Sequence, residues 1–120
     1  MNQPIKKYDL EERTAKFGES IIDLCQGLDQ NVIAKPIISQ IIRSATSVGA
    51  NYMEANCASS KRDFRNKIFI CKKEAQETKH WLRMLLKCFP AAEGGIKNAW
   101  QESQELTMIF QKITSSIDKK

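Results

Sequence analysis

The sequence predicts an all-α protein, an antiparallel up-and-down four-helix bundle, on three observations. Four segments carry apolar residues at the three-and-four spacing of a helix face, the connections between them are short, and no two segments alternate as a strand pair would. At 120 residues, 42% of them hydrophobic and with only five Gly and three Pro, the chain has the length of one domain with one core. The same composition excludes collagen-like, mucin-like and wholly disordered classes. We read residues 1–120 as a single four-helix domain with helices near 10–29, 36–58, 61–89 and 96–117.

The first helix starts at Asp9. Its carboxylate can accept from unpaired N–H groups while Glu12, three residues on, reaches back to the cap. The apolar stripe is Leu10, Phe17, Ile21, Leu24, Cys25 and Leu28, with Glu11, Arg13, Glu19, Asp23 and Gln26 mainly on other faces. Gly18 inside this helix costs about 1 kcal/mol relative to Ala, a cost that close approach of another backbone can offset. Residues 27–35 read as a connection. Pro36 suits the first turn of a second helix, because an N–H there has no intrahelical partner anyway. That helix presents Ile38, Ile41, Ile42, Ala45, Val48, Gly49, Tyr52 and Ala55, and its small residues permit close packing.

Ser60, followed by Asp63, gives a polar start to the third helix. Its stripe runs Phe64, Ile68, Cys71, Ala75, Thr78, Leu82, Leu85, Leu86 and Phe89 until Pro90 ends it. Residues 90–95, which include Gly94 and Gly95, read as the turn that reverses the chain. The fourth helix presents Ile96, Trp100, Leu106, Ile109, Phe110, Ile113 and Ile117, and Lys119 and Lys120 are expected to fray. Trp81, Trp100, Phe89 and Phe110 are expected to fill the core or a subunit seam.

The formal net charge is +5, unevenly distributed. Residues 35–87 hold eleven basic residues against Glu54, Asp63, Glu74 and Glu77, a net +7, whereas the remainder is net −2. The densest feature is SKRDFRNK at residues 60–67. There Lys61, Arg62, Arg65 and Lys67 crowd the start of helix three, with Lys72 and Lys73 extending the surface. Two readings stand side by side: contact with nucleic-acid phosphates, and solvation or pairing with acids of a neighbouring element or subunit. Arg65, Lys72 and Lys79, seven residues apart, share one helix face. On helix two, Arg43, Ser47, Asn51 and Glu54 form a polar stripe suited to contacts across helices or subunits, with Glu74 and Glu77 as facing carboxylates from helix three.

Signals for catalysis are few. His80 is the sole histidine and belongs to no H-E-x-x-H or Cys/His ligand array. The chain lacks a G-x-x-x-x-G-K phosphate loop, a Rossmann glycine pattern and the strand aromatics of an RNA-recognition motif. Cys25, Cys57, Cys71 and Cys88 form no C-x-x-C pair and read as reduced thiols packed as small hydrophobes. No metal and no cofactor are expected, and the expected class is not an enzyme. With no long apolar span and no secretory leader in MNQPIKKYDLEERTAK, a cytoplasmic protein without membrane contact is expected.

Four stretches, YDLEERTAKFGESII at 8–22, PIISQIIRSATSVGANYMEA at 36–55, SKRDFRNK at 60–67 and KEAQETKHWLRMLL at 73–86, together resemble the four-helix bundle proteins encoded by intervening sequences of 23S rRNA genes. Asn51, Glu54, Lys61, Asp63, Phe64, Lys67, Glu74, Glu77, Trp81 and Leu82 match characteristic positions; Ala55 and the region of Cys57 depart from the commonest form. The resemblance implies a bundle that assembles as a ring-like homo-oligomer, commonly a pentamer. The same broad family includes accessory proteins of diversity-generating retroelements, which implies a non-catalytic role with RNA or DNA and a reverse transcriptase as partners. Lys61, Arg62, Arg65, Lys67, Lys72 and Lys73 are the candidate nucleic-acid contacts. The alternative is a structural or protein-interaction bundle encoded in an rRNA gene insertion.

Overall fold

The computed structural model describes residues 9–119. The expected N-terminal targeting reading over residues 1–8 and the expected fraying of Lys120 lie outside them. Four helices follow in order: α1 Leu10–Gln26, α2 Ala34–Asn56, α3 Lys61–Cys88 and α4 Glu93–Asp118. Each packs on the next, and α1 returns to α4 along a thinner seam, so the chain forms an up-and-down bundle of about 47 × 33 × 21 Å.

Local chemistry fixes the starts. The Asp9 carboxylate accepts from the Glu12 N–H at 3.2 Å, as expected, but Glu12 turns to Lys16 at 3.3 Å instead of returning to the cap. Ser60 accepts from the Asp63 N–H at 3.0 Å and starts α3. The start of α2 is governed by a residue that composition does not single out. The Asn31 side-chain oxygen accepts from the N–H groups of Ile33 and Ala34 at 3.0 and 2.9 Å, so the helix begins before Pro36, which then occupies its first turn.

The ends differ from expectation in two places. α1 stops at Gln26, three residues short, with Gly27 at its C-cap; the Cys25 carbonyl accepts from the Leu28 N–H at 3.1 Å, and the Gln30 amide donates to the carbonyls of Cys25 and Leu28. At the other end of the bundle, Pro90–Ala92 alone, one 3-10 turn, reverses the chain. Gly94 and Gly95, expected as turn residues, lie in the first turn of α4, and no described glycine has a positive φ. A Cβ at Gly95 would sit 3.1 Å from Leu24 Cδ1 on α1, the end of a flexible side chain, and one at Gly94 would meet nothing within 4 Å.

The stripes converge as the spacing requires. Phe17 and Ile21 from α1, Ile41 and Val48 from α2, Ile68, Leu82 and Leu85 from α3, and Leu106 and Phe110 from α4 are almost wholly buried. Trp81 and Phe89 pack at the core edge, whereas Trp100 is 41% exposed and is no core residue. Gly18 is approached closely by another backbone. Its missing Cβ would lie 3.5 Å from the Cα of Thr46, and that of Gly49 would lie 3.3 Å from Thr14 Oγ1, so α1 and α2 meet nearly backbone to backbone.

The core also holds hydroxyls. Ser44 and Thr78 bond to each other at 2.8 Å, and Ser103 donates to the Ala75 carbonyl at 2.7 Å across the α3/α4 seam. Every buried side-chain N or O atom among the described residues has a hydrogen-bond partner. Cys25 and Cys71 are buried and Cys57 is exposed; all four cysteines are free thiols. Burial pushes the thiol of Cys25 up to about 11 and that of Cys71 to about 12, so both stay neutral as packed hydrophobes do.

Candidate nucleic-acid interface

Side chains that are neighbours in SKRDFRNK are not neighbours in space, because successive residues of a helix diverge by about 100°. α3 sends the six candidate cations in three directions. Toward α4, Arg65 makes a two-pronged contact with Asp118 at 2.7 and 2.8 Å, and Lys72 donates to Gln111 at 2.7 Å while lying 5.3 Å over the Phe69 ring. Lys79 continues this line, bonded to Gln104 and placed 5.2 Å over the Trp100 ring. Toward α2, Lys67 meets Glu54 at 2.8 Å. Lys61, Arg62 and Lys73 are exposed and make no ion pair among the described residues.

The seven-residue spacing of Arg65, Lys72 and Lys79 therefore does define one face, and that face is laid along α4. An exposed line lies beside it. Arg62, Phe69, Lys73, Gln76, His80 and Lys87 follow one another at spacings of three, four or seven and are all exposed. No α3 carboxylate falls on this line: Asp63, Glu74 and Glu77 are half-buried, and Glu74 and Glu77 face Arg43 on α2. Lys87 is the member that sequence reasoning missed, because it stands far from the dense segment at 60–67; its signal is the heptad step from Lys73 through His80.

The polar stripe of α2 is a seam with α3. Arg43 reaches Glu74 at 3.3 Å and Glu77 at 2.8 Å. Glu77 also accepts from the Trp81 indole at 3.3 Å, Ser47 donates to the Arg43 carbonyl, and Asn51 donates to the Ser47 carbonyl. Glu54 is not grouped with Glu74 and Glu77; it takes Lys67 instead. On the other side of the bundle, Arg13 makes two contacts with Glu102, at 2.7 and 2.8 Å, and one with Glu105 at 2.9 Å, which holds α1 to α4. His80 is exposed and edges against Trp81. Among the described residues, no three His, Cys, Asp or Glu side chains are grouped to hold a metal ion.

These pairs make stability depend on acid. Hydrogen bonds from Arg65 hold the Asp118 carboxyl below its ordinary 3.8. At Glu77, burial opposes ionisation, but hydrogen bonds from Arg43 and the Trp81 indole together outweigh it and bring the group below 4.5. Folding thus disfavours protonation at both carboxyls. Their contribution is fully present above the unfolded values and disappears as pH falls through the lower folded ones. The thermal midpoint, followed by circular dichroism, is expected to stay level near neutrality and to drop below about pH 4.5. A midpoint that rose on acidification over that window would contradict the pairing.

Comparison with known proteins points one way. Residues 6–112 match the family model described as 23S rRNA-intervening sequence protein. A crystallised protein of unknown function from the S23 ribosomal protein family of Bacteroides thetaiotaomicron is 32% identical, with 87% of this chain and 96% of that chain covered and a TM-score of 0.79. No curated protein matches the chain. No described helix is long and apolar enough to cross a membrane.

Proposed function

Because the chain belongs to the 23S rRNA-intervening sequence protein family, we propose that it is a non-catalytic interaction bundle of the cytoplasm that works as a homo-oligomer, a ring in the form the family resemblance implies. The observation that carries this reading is where polar and apolar groups are spent. The conspicuous carboxylates are occupied by arginine or lysine across helix seams, as Glu74 and Glu77 are by Arg43. Large apolar side chains, Met53, Trp100 and Met108, stand instead at the surface, where a partner molecule would cover them. Assembly linked to folding makes stability depend on concentration. The thermal midpoint of the full chain is expected to rise measurably over a hundredfold increase in protein concentration. A midpoint that does not move over that range overturns the reading.

A second reading is favoured by the carboxylate-free line on α3. RNA or DNA phosphates would contact Arg62, Lys73 and Lys87, joined by Lys61, without any bond inside the bundle being broken. Arg65, Lys67 and Lys72 would first have to leave Asp118, Glu54 and Gln111. Replacing Arg62, Lys73 and Lys87 together with Gln is expected to weaken binding of a single-stranded RNA. The slope of its salt dependence is expected to flatten by about 0.7 for each phosphate that is no longer neutralised. Arg65→Gln with Lys67→Gln is expected to change binding less. Equal weakening in both variants, or no RNA binding by the wild type at low salt, would reject this surface. A reverse transcriptase as protein partner is a proposal of the same kind, tested by co-purification after nuclease treatment.

A further inference from the structure

The grooves on two sides of the bundle are lined by charges of opposite sign. Between α1 and α2 runs a shallow apolar groove floored by Ala15, Gly18, Ile22, Ala50 and Met53 and rimmed by Glu11, Glu12 and Glu19; among the described residues, no basic side chain lines it, although Lys16 stands beside Glu12 at 3.3 Å. Met53 is 56% exposed in its floor. Between α3 and α4 lie two grooves in line. One is formed by Leu82, Leu86, Ile96 and Trp100 with Arg83 and Lys97; the other holds Met108 between Lys72 and Lys112. Among the described residues, no carboxylate lines either groove, although Glu93 stands beside Lys97 at 3.0 Å. Met108 is 60% exposed.

Bundle topology puts these surfaces back to back. α1 packs on α2, α2 on α3 and α3 on α4, so the α1/α2 pair and the α3/α4 pair are opposite layers of one bundle. A surface with exposed apolar side chains inside a ring of one charge suits a partner with the same apolar content and the other charge. This chain carries both members of such a pair.

We propose that the α3/α4 side of one copy seats on the α1/α2 side of the next, with Arg83, Lys97 and Lys112 facing Glu11, Glu12 and Glu19, and with Trp100 and Met108 covered by the groove that contains Met53. The contact rests on the assembly reading above and gives it a geometry. It is head to tail, since the two surfaces differ, so each added copy presents a fresh docking side until the rotation closes a ring. The Arg62, Lys73 and Lys87 line proposed for phosphates borders the α3/α4 docking surface, and Gln76 belongs to both.

Charge exchange tests the pairing on the full-length protein by light scattering. Glu11→Lys with Glu19→Lys makes both sides basic; Arg83→Glu with Lys112→Glu makes both acidic. None of these four residues is in an ion pair within the bundle among the described residues. Each double variant is expected to lose the wild-type multimer, and the variant with all four changes, which reverses both sides at once, is expected to regain it. Helix content by circular dichroism checks that each variant folds. As a measurement that needs no variant, carbodiimide coupling of the wild type is expected to join Glu11 or Glu19 of one copy to Lys97 or Lys112 of another. A multimeric wild type whose double variants remain multimeric, with no such cross-link, overturns the pairing and leaves the assembly reading standing. A wild type that is monomeric at every concentration overturns both.

Discussion

Phe110→Ala is expected to lower the free energy of unfolding by about 3–5 kcal/mol, at the upper end of what a single truncation costs. Phe110 is fully buried on α4, and its ring lies 6.3 Å from that of Tyr52 on α2, so it spans the core between helices that do not follow one another in the chain. Removing the ring takes away its transfer free energy and leaves a void that the surrounding helices, fixed by their own stripes, fill only in part. Domains of this size have a total stability of about 5–15 kcal/mol, so the variant is left marginal. Urea unfolding of both proteins measures the difference. A decrease below about 1 kcal/mol would mean that Phe110 does not occupy the centre of the core.

Gly49→Leu is the second large effect, and it acts by crowding. The added Cβ meets Thr14 at 3.3 Å from the hydroxyl and 3.5 Å from the backbone carbon. Thr14 cannot turn its hydroxyl away cheaply, because that group donates to the Leu10 carbonyl at 2.6 Å. Three further carbons therefore push α1 off α2, at a cost of about 1–3 kcal/mol. Gly49→Ala is the control. It adds only the Cβ contact while gaining about 1 kcal/mol of helix propensity, so its net change is expected to be small. Equal stability of the Leu variant and the wild type would show that the two helices do not meet closely at Gly49.

Most of the fold was legible because it rests on patterns that one helix carries alone. The caps at Asp9 and Ser60, the stop before Pro90 and the stripes through Ile41, Ile68 and Leu106 are local or periodic features, and the structure has them. Asn31 was not legible: its contribution lies in a side chain turned back onto two amides within a connection, and nothing in the apolar pattern marks it. Gly94 and Gly95 misled because a glycine pair signals a turn by local preference, whereas here both lie in helical backbone with negative φ, and only Gly95 has a neighbour, Leu24 Cδ1 at 3.1 Å, near its missing Cβ. The buried pair Ser44 and Thr78 depends on which helix faces which, a matter of tertiary packing that no single helix encodes.

For the candidate site the limit has the same physical origin. Counting charges along residues 60–67 finds the basic segment, yet the partners that occupy Arg65 and Lys67 are Asp118, on α4, and Glu54, on α2. Only the paired helices decide which cations remain outward. Arg43 is the converse case. Its place on a polar stripe was legible, and so was the presence of two carboxylates on α3, but the contact between them depends on the register of α2 against α3.

On the reading proposed above, this chain functions through contact between molecular surfaces, and its first partner is another copy of itself. The mass of the purified full-length protein in solution, by light scattering at micromolar concentration and moderate salt, tests this most directly. The expected result is one species at an integer multiple, above one, of the 13.7 kDa chain. A species of 13.7 kDa at every concentration would contradict it.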